Sequence, residues 1–92
     1  MTLDVSEVDI LNGELLLYPN PVKDKLTIQF NTVVDDTVKI DIFDMKGQQI
    51  YTLKTDLNEN KVDLDLSAMS SGVYLVSIEM DTKTIIKRIL LD

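Results

Sequence analysis

Apolar and polar residues alternate with a period of two along most of the chain, and helical periodicity is almost absent, which predicts strands. Leu26, Ile28 and Phe30 share one face, with Thr27, Gln29 and Asn31 opposite. Asp35-Asp36 then reads as a turn. Val38, Ile40 and Ile42 form the next apolar face, with Lys39 and Asp41 outward. Asp44-Met45-Lys46-Gly47 reads as a hairpin loop in which Gly47 takes the positive φ that such loops need. Residues 48–55 form a returning strand of open facing, because Ile50 points opposite to Tyr51 and Leu53. Residues 56–61 are polar and turn-like, and Val62, Leu64 and Leu66 then alternate with Asp63 and Asp65. Residues 67–71 read as a single helical turn ended by Gly72, with Leu66 and Met69 closing one end of the core. Tyr74, Val76, Ile78 and Met80 make an inward face, Asp81-Thr82 turns the chain, and residues 84–91 form the last strand.

About seven short strands in a chain of 92 residues is the cadence of an all-β protein, an immunoglobulin-like antiparallel two-sheet sandwich. A small β-barrel is the rival architecture. Residues 1–13 are acidic and weakly patterned and read as a linker or loosely attached N-terminal arm, so the domain proper spans residues 14–92. At its entry stands Tyr18-Pro19-Asn20-Pro21, between Leu15-Leu16-Leu17 and the first alternating strand. The two prolines fix their own φ angles, remove two backbone donors and push Tyr18 and Asn20 into extended geometry. The tetrapeptide is a stiff connection, not a central strand. The last strand has two mostly apolar faces: Ile85, Lys87, Ile89 and Leu91 on one side, Ile86, Arg88 and Leu90 on the other. Either it lies centrally in its sheet, or its outer face is meant for a partner.

Composition narrows the chemistry. There is no cysteine and no histidine, so a thiol nucleophile, the usual zinc ligands and the usual proton shuttle at neutral pH are all missing. A net charge of −7 without a basic, aromatic-interleaved stripe argues against nucleic acid. The longest apolar runs, Leu15-Leu16-Leu17 and Ile89-Leu90-Leu91, are far too short to span a membrane. The start, Met1-Thr2-Leu3-Asp4, lacks the pattern of a signal peptide, so a secreted form implies a fragment of a larger precursor. Asp63 and Asp65 share a strand face but define no cleft, and read as solvated side chains rather than a hydrolytic pair. Asp35-Asp36, or Asp56 with Asn58 and Glu59, could offer oxygens to calcium, but the calcium-loop spacing with its glycine is absent. No cofactor is expected.

Taken in order, four landmarks resemble a known family. Tyr18-Pro19-Asn20-Pro21 followed by Asp24-Lys25-Leu26-Thr27-Ile28 resembles the opening signature of the type A C-terminal sorting domains of the type IX (Por) secretion system of Bacteroidetes. Ile42-Phe43-Asp44-Met45-Lys46-Gly47 resembles its central hairpin, and Leu64-Asp65-Leu66-Ser67 followed by Gly72-Val73-Tyr74 resembles its "Asp-Leu-Ser … Gly-x-Tyr" element. Lys87-Arg88 among isoleucines and leucines resembles its basic, apolar final strand, although Leu90-Leu91-Asp92 replaces the polar or basic tail of many members. The resemblance covers the chain from about Leu15 onward.

It implies a non-catalytic signal that directs an N-terminally fused cargo through an outer-membrane translocon. A sortase-like peptidase then commonly removes the domain, leaving the cargo released or attached at the cell surface. Its signature residues map to Tyr18, Pro19, Asn20, Pro21, Asp44, Gly47, Gly72, Tyr74, Lys87 and Arg88. Gly47 and Gly72 read as backbone-geometry residues, and Tyr74 as a buried ring with its hydroxyl on nearby backbone. A monomer or weak dimer is expected, without nucleic acid or membrane insertion. The competing function is an adhesive or carbohydrate-binding module appended to a secreted enzyme, for which only Phe43 and Tyr51 remain as display aromatics. A small hydrolase ranks last.

Overall fold

A computed structural model describes residues 15–31, 34, 36–80 and 83–92. The arm over residues 1–13 and the turns expected at Asp35 and Asp81-Thr82 lie outside them. The described chain forms seven strands: β1 (Leu15–Tyr18), β2 (Lys25–Phe30), β3 (Asp36–Asp44), β4 (Gln49–Leu57), β5 (Lys61–Asp65), β6 (Gly72–Met80) and β7 (Lys83–Leu91). A three-stranded sheet in the order β1-β2-β5 and a four-stranded sheet in the order β4-β3-β6-β7 have all their neighbouring strands antiparallel. Two separate sheets make this a sandwich and not a barrel.

The alternation decides the packing. Leu26 and Ile28 from one sheet meet Val38, Ile40, Ile42, Val76 and Ile78 from the other, all fully buried. At about 1.5–3 kcal/mol for each large aliphatic side chain taken from water, these contacts are the main source of stability. Register is pinned by polar pairs on the outer faces. Thr27 donates to Asp63, Thr37 to Asp56 and Thr52 to Asp41, each at 2.6 Å and each between directly opposed residues. Such cross-strand pairs contribute about 0.2–1 kcal/mol apiece. Asp63, read above as merely solvated, is one of these pins.

Several local expectations are corrected. Asp36 opens β3 rather than sitting in a turn, and β4 runs two residues past Thr55, burying Leu57. Asp56 and Lys61 therefore belong to strands, which leaves only Asn58, Glu59 and Asn60 as the connection. The facing of β4 resolves with Tyr51 and Leu53 packed against the core and Ile50 exposed. Residues 67–71 form a turn without becoming a helix, closed by Met69 N–H donating to the Leu66 carbonyl at 3.0 Å. Leu66 and Met69 still seal that end of the core. Asp41 points outward but is only 8% exposed, because β3 is central and Thr52 and Lys39 close over it.

Two turns behave as their residues require. In the β3–β4 hairpin, Asp44 Oδ1 accepts from the N–H groups of Lys46 and Gln48, both at 2.9 Å, while Gly47 takes φ +88. A β-bulge at Ile42 and Phe43 follows from fitting this loop onto the ladder. Before β6, the Tyr74 ring is buried and its hydroxyl donates to the Ser70 carbonyl at 2.6 Å, tying the turn to the core. Tyr74→Phe should lower stability by about 1–2 kcal/mol, because the Ser70 carbonyl loses a partner. Chemical denaturation with an unchanged slope would read that loss.

Candidate recognition site

Each signature element, built from its own residues, reaches the same end of the sandwich. Tyr18 closes β1, its ring half-buried and its hydroxyl donating to Gln29 Oε1 at 2.9 Å. Pro19, Asn20 and Pro21 follow, all exposed, with both X–Pro bonds cis. The chain then crosses to the other sheet at Val22, which is fully buried and forms a parallel bridge with Leu91. Val22 N–H donates to the Leu90 carbonyl at 2.8 Å and Asp92 N–H donates back to the Val22 carbonyl at 2.7 Å. The turn therefore locks the end of β7 to the start of the domain, and Lys23 adds an exposed ion pair to Asp92 at 3.2 Å.

The remaining elements share this end through the sheet register. Asp44 opposes Tyr74 and Tyr74 opposes Ile89; Gly72 opposes Leu91. Leu66 N–H donates to the Asp24 carbonyl at 2.7 Å, joining the Asp65–Ser67 corner to the segment that follows the proline turn. In that corner Asp65 Oδ1 accepts the Ser67 N–H at 3.0 Å. Hydrogen bonds from Ser67, with Lys25 nearby, hold the Asp65 carboxyl below its ordinary value of 3.8. Its small stabilising effect is present above the ordinary carboxylate pKa and is lost as pH falls through the lowered value. Leu15, the first described residue, opposes Phe30 at the other end.

Lys87 and Arg88 are separated by the strand's alternation. Lys87 is only 5% exposed, on the inward side between Ile85 and Ile89, whereas Arg88 is exposed on the outer face. Pro19 and Asn20 line a shallow crevice with Leu16, Leu17, Lys87, Arg88 and Ile89, so the opening and closing signatures meet in space. Charge reversal at both positions is thus not a pure surface change. Among the described residues β7 is an edge strand, not the central strand that was one of the two placements left open above. Val22, absent from the sequence reading, is what docks the proline turn; an isolated buried-type residue straight after Pro21 was its only signal.

The other candidates are less organised: Asp36, Asp56 and Asn58 line a wide, open pocket with Thr37 and Leu57. Among the described residues no group of three or more Asp, Glu, His or Cys side chains is arranged around a common point. Asp56 is held by Thr37, and Asp36 Oδ1 accepts its neighbour's N–H at 2.7 Å. Phe43 lies half-buried on the outer face while Tyr51 packs against the core, so they do not form an aromatic row.

These features define an immunoglobulin-like sandwich whose distinctive residues organise one end and its edge strand. The chain belongs to the secretion system C-terminal sorting domain family, whose pattern it matches over residues 16–92. Domains of this family are non-catalytic sorting tails. It is 30% identical over 78 residues to an endo-acting ulvan lyase of Formosa agariphila, covering 84% of this chain but 14% of the lyase. The chain thus spans about a seventh of that relative's length. In fold it is similar to a DUF3244-family protein of Bacteroides vulgatus, an immunoglobulin-like β-sandwich. That superposition has a TM-score of 0.68 at 16% identity and covers 88% of this chain and 87% of the other.

Proposed function

We propose that this domain is the signal by which a cargo fused before it is carried through the type IX outer-membrane translocon. A sortase-like peptidase then releases the cargo or fixes it at the cell surface. The observation that carries this reading is the family match over residues 16–92. The geometry supports it: Leu15, opposite Phe30, lies at the end away from the signature turns, so a cargo on that side would leave them unobstructed. The small fraction of the lyase that is matched supports a tail on a larger precursor. In this reading residues 14–92 are the sorting domain, residues 1–13 the linker, and the domain works as a non-catalytic monomer or weak dimer without cofactor.

The test is a reporter fused behind a signal peptide and ahead of this domain, expressed in a Bacteroidetes cell that has the type IX apparatus. The reporter should reach the medium or cell surface, and should stay periplasmic when the apparatus is deleted. Retention of the intact fusion in the competent host would refute the reading.

A further inference from the structure

On the outer face of the β6–β7 half-sheet, Arg88 stands in an apolar patch toward the Gly72 end, while Ser77, Glu79 and Thr84 occupy the other end. Arg88 is flanked along β7 by Ile86 and Leu90, which are 57% and 44% exposed. Across the ladder Arg88 opposes Leu75, Leu90 opposes Val73, and Leu75 in turn opposes Phe43. Soluble sheets avoid an apolar face on an edge strand unless something covers it. The chemistry of the cover follows from charge. No ion pair or hydrogen bond joins the Arg88 guanidinium to another described residue. The carboxylate on the same face of β3, Asp41, is already held by Thr52 and Lys39. Among the described residues the exposed guanidinium therefore has no carboxylate partner, in a chain of net charge −7. A broadly acidic partner would be repelled by that net charge, so complementarity here is local: one carboxylate, set among aliphatic side chains. Arginine suits that role because its planar fork binds a carboxylate through two parallel hydrogen bonds while tolerating desolvation.

We propose that this face, anchored on Arg88, is the docking surface for the secretion machinery, and that its occupant is a protein surface presenting one carboxylate within an apolar patch. The proposal rests on the sorting function above. Lys87, packed inward, is not part of this surface.

Photo-crosslinking in the reporter fusion tests it, with Ile86→benzoylphenylalanine and Leu90→benzoylphenylalanine compared against Lys54→benzoylphenylalanine on the β4 side of the same sheet. Positions 86 and 90 should crosslink to an outer-membrane component of the apparatus and position 54 should not. Arg88→Glu should abolish the crosslink and cut export by at least about tenfold, the scale of a lost interface anchor, while Arg88→Lys keeps part of it. The purified Arg88→Glu domain should melt close to the parent; if it does not fold, Arg88→Gln takes its place. Normal export of a folded Arg88→Glu fusion, or equal crosslinking at position 54, overturns the proposal. So does a product joining 86 or 90 to a second copy or to residues 1–14, since either would be a different occupant. Retention of the parent fusion would instead overturn the sorting function, and this proposal with it.

Discussion

Removal of residues 84–92 is expected to abolish the fold rather than merely weaken export. The deletion takes away nearly all of β7, and with it the buried side chains of Ile85, Ile89 and Leu91. At the usual value for burying an aliphatic side chain these alone amount to roughly 5–9 kcal/mol. A domain of this size has only about 5–15 kcal/mol in total. Two further losses follow. β6 would have no ladder partner on one side, leaving polar backbone unpaired beside the core. Val22 would lose both hydrogen bonds that dock the proline turn against the strand end. A thermal melt of the truncated domain should show no cooperative transition, and a far-UV spectrum should show loss of strand signal. A sigmoidal melt resembling the parent's would contradict this. Loss of export on such a truncation therefore reports unfolding and says nothing about which residues are recognised.

The sequence carried the fold well where one face of a strand is buried and the other wet. β2, β3, β5 and β6 obey that pattern, so alternation alone placed Leu26, Ile40, Leu64 and Val76 inside. Turn chemistry was equally legible at Gly47 and at Tyr74, where the required φ and the hydroxyl partner are local. What failed to show depended on neighbours distant in the chain. Asp41 reads as solvent-facing until Thr52 and Lys39 are known to close over it. Leu57 follows a polar stretch and is buried only because β4 runs on along Asp36. For the candidate site, the signature residues were readable but their convergence was not. Nothing in the sequence says that Val22 bridges to Leu91, and that bridge is what brings Pro19 and Asn20 beside Lys87.

The arrangement also separates the parts of the signature that hold the fold from the part proposed to meet a partner. Asp44, Gly47, Gly72 and Tyr74 shape two turns at the end where β7 finishes, and their hydrogen bonds are satisfied within the domain. Their role is to hold the end of β7, through Tyr74 opposite Ile89 and Gly72 opposite Leu91, in one register. A family pattern dominated by such residues is what a folded signal requires, since a partner reading one strand face depends on that face being preorganised.

Lys87 gives the sharpest separation of packing from recognition, because a buried cation and an exposed one stand side by side. Its stem lies between Ile85 and Ile89, and it lines the crevice with Leu17, Pro19 and Asn20. Lys87→Glu puts the opposite charge in that site. Breaking a buried charged interaction costs about 3–5 kcal/mol. With about 4–8 °C of Tm lost per kcal/mol in a domain of this size, the Glu variant should melt at least about 12 °C below the parent and fail to export. Lys87→Met keeps an unbranched stem that fills the same space and removes only the ammonium's interactions, for a loss of about 1–3 kcal/mol. The Met variant should therefore fold, and its reporter fusion should be exported like the parent, since an inward lysine offers no charge to a partner. Denaturation curves paired with export assays on both variants check this. A Met variant that melts like the parent yet stays periplasmic would mean that the secretion machinery reads the Lys87 ammonium itself, reached through the crevice beside Pro19 and Asn20.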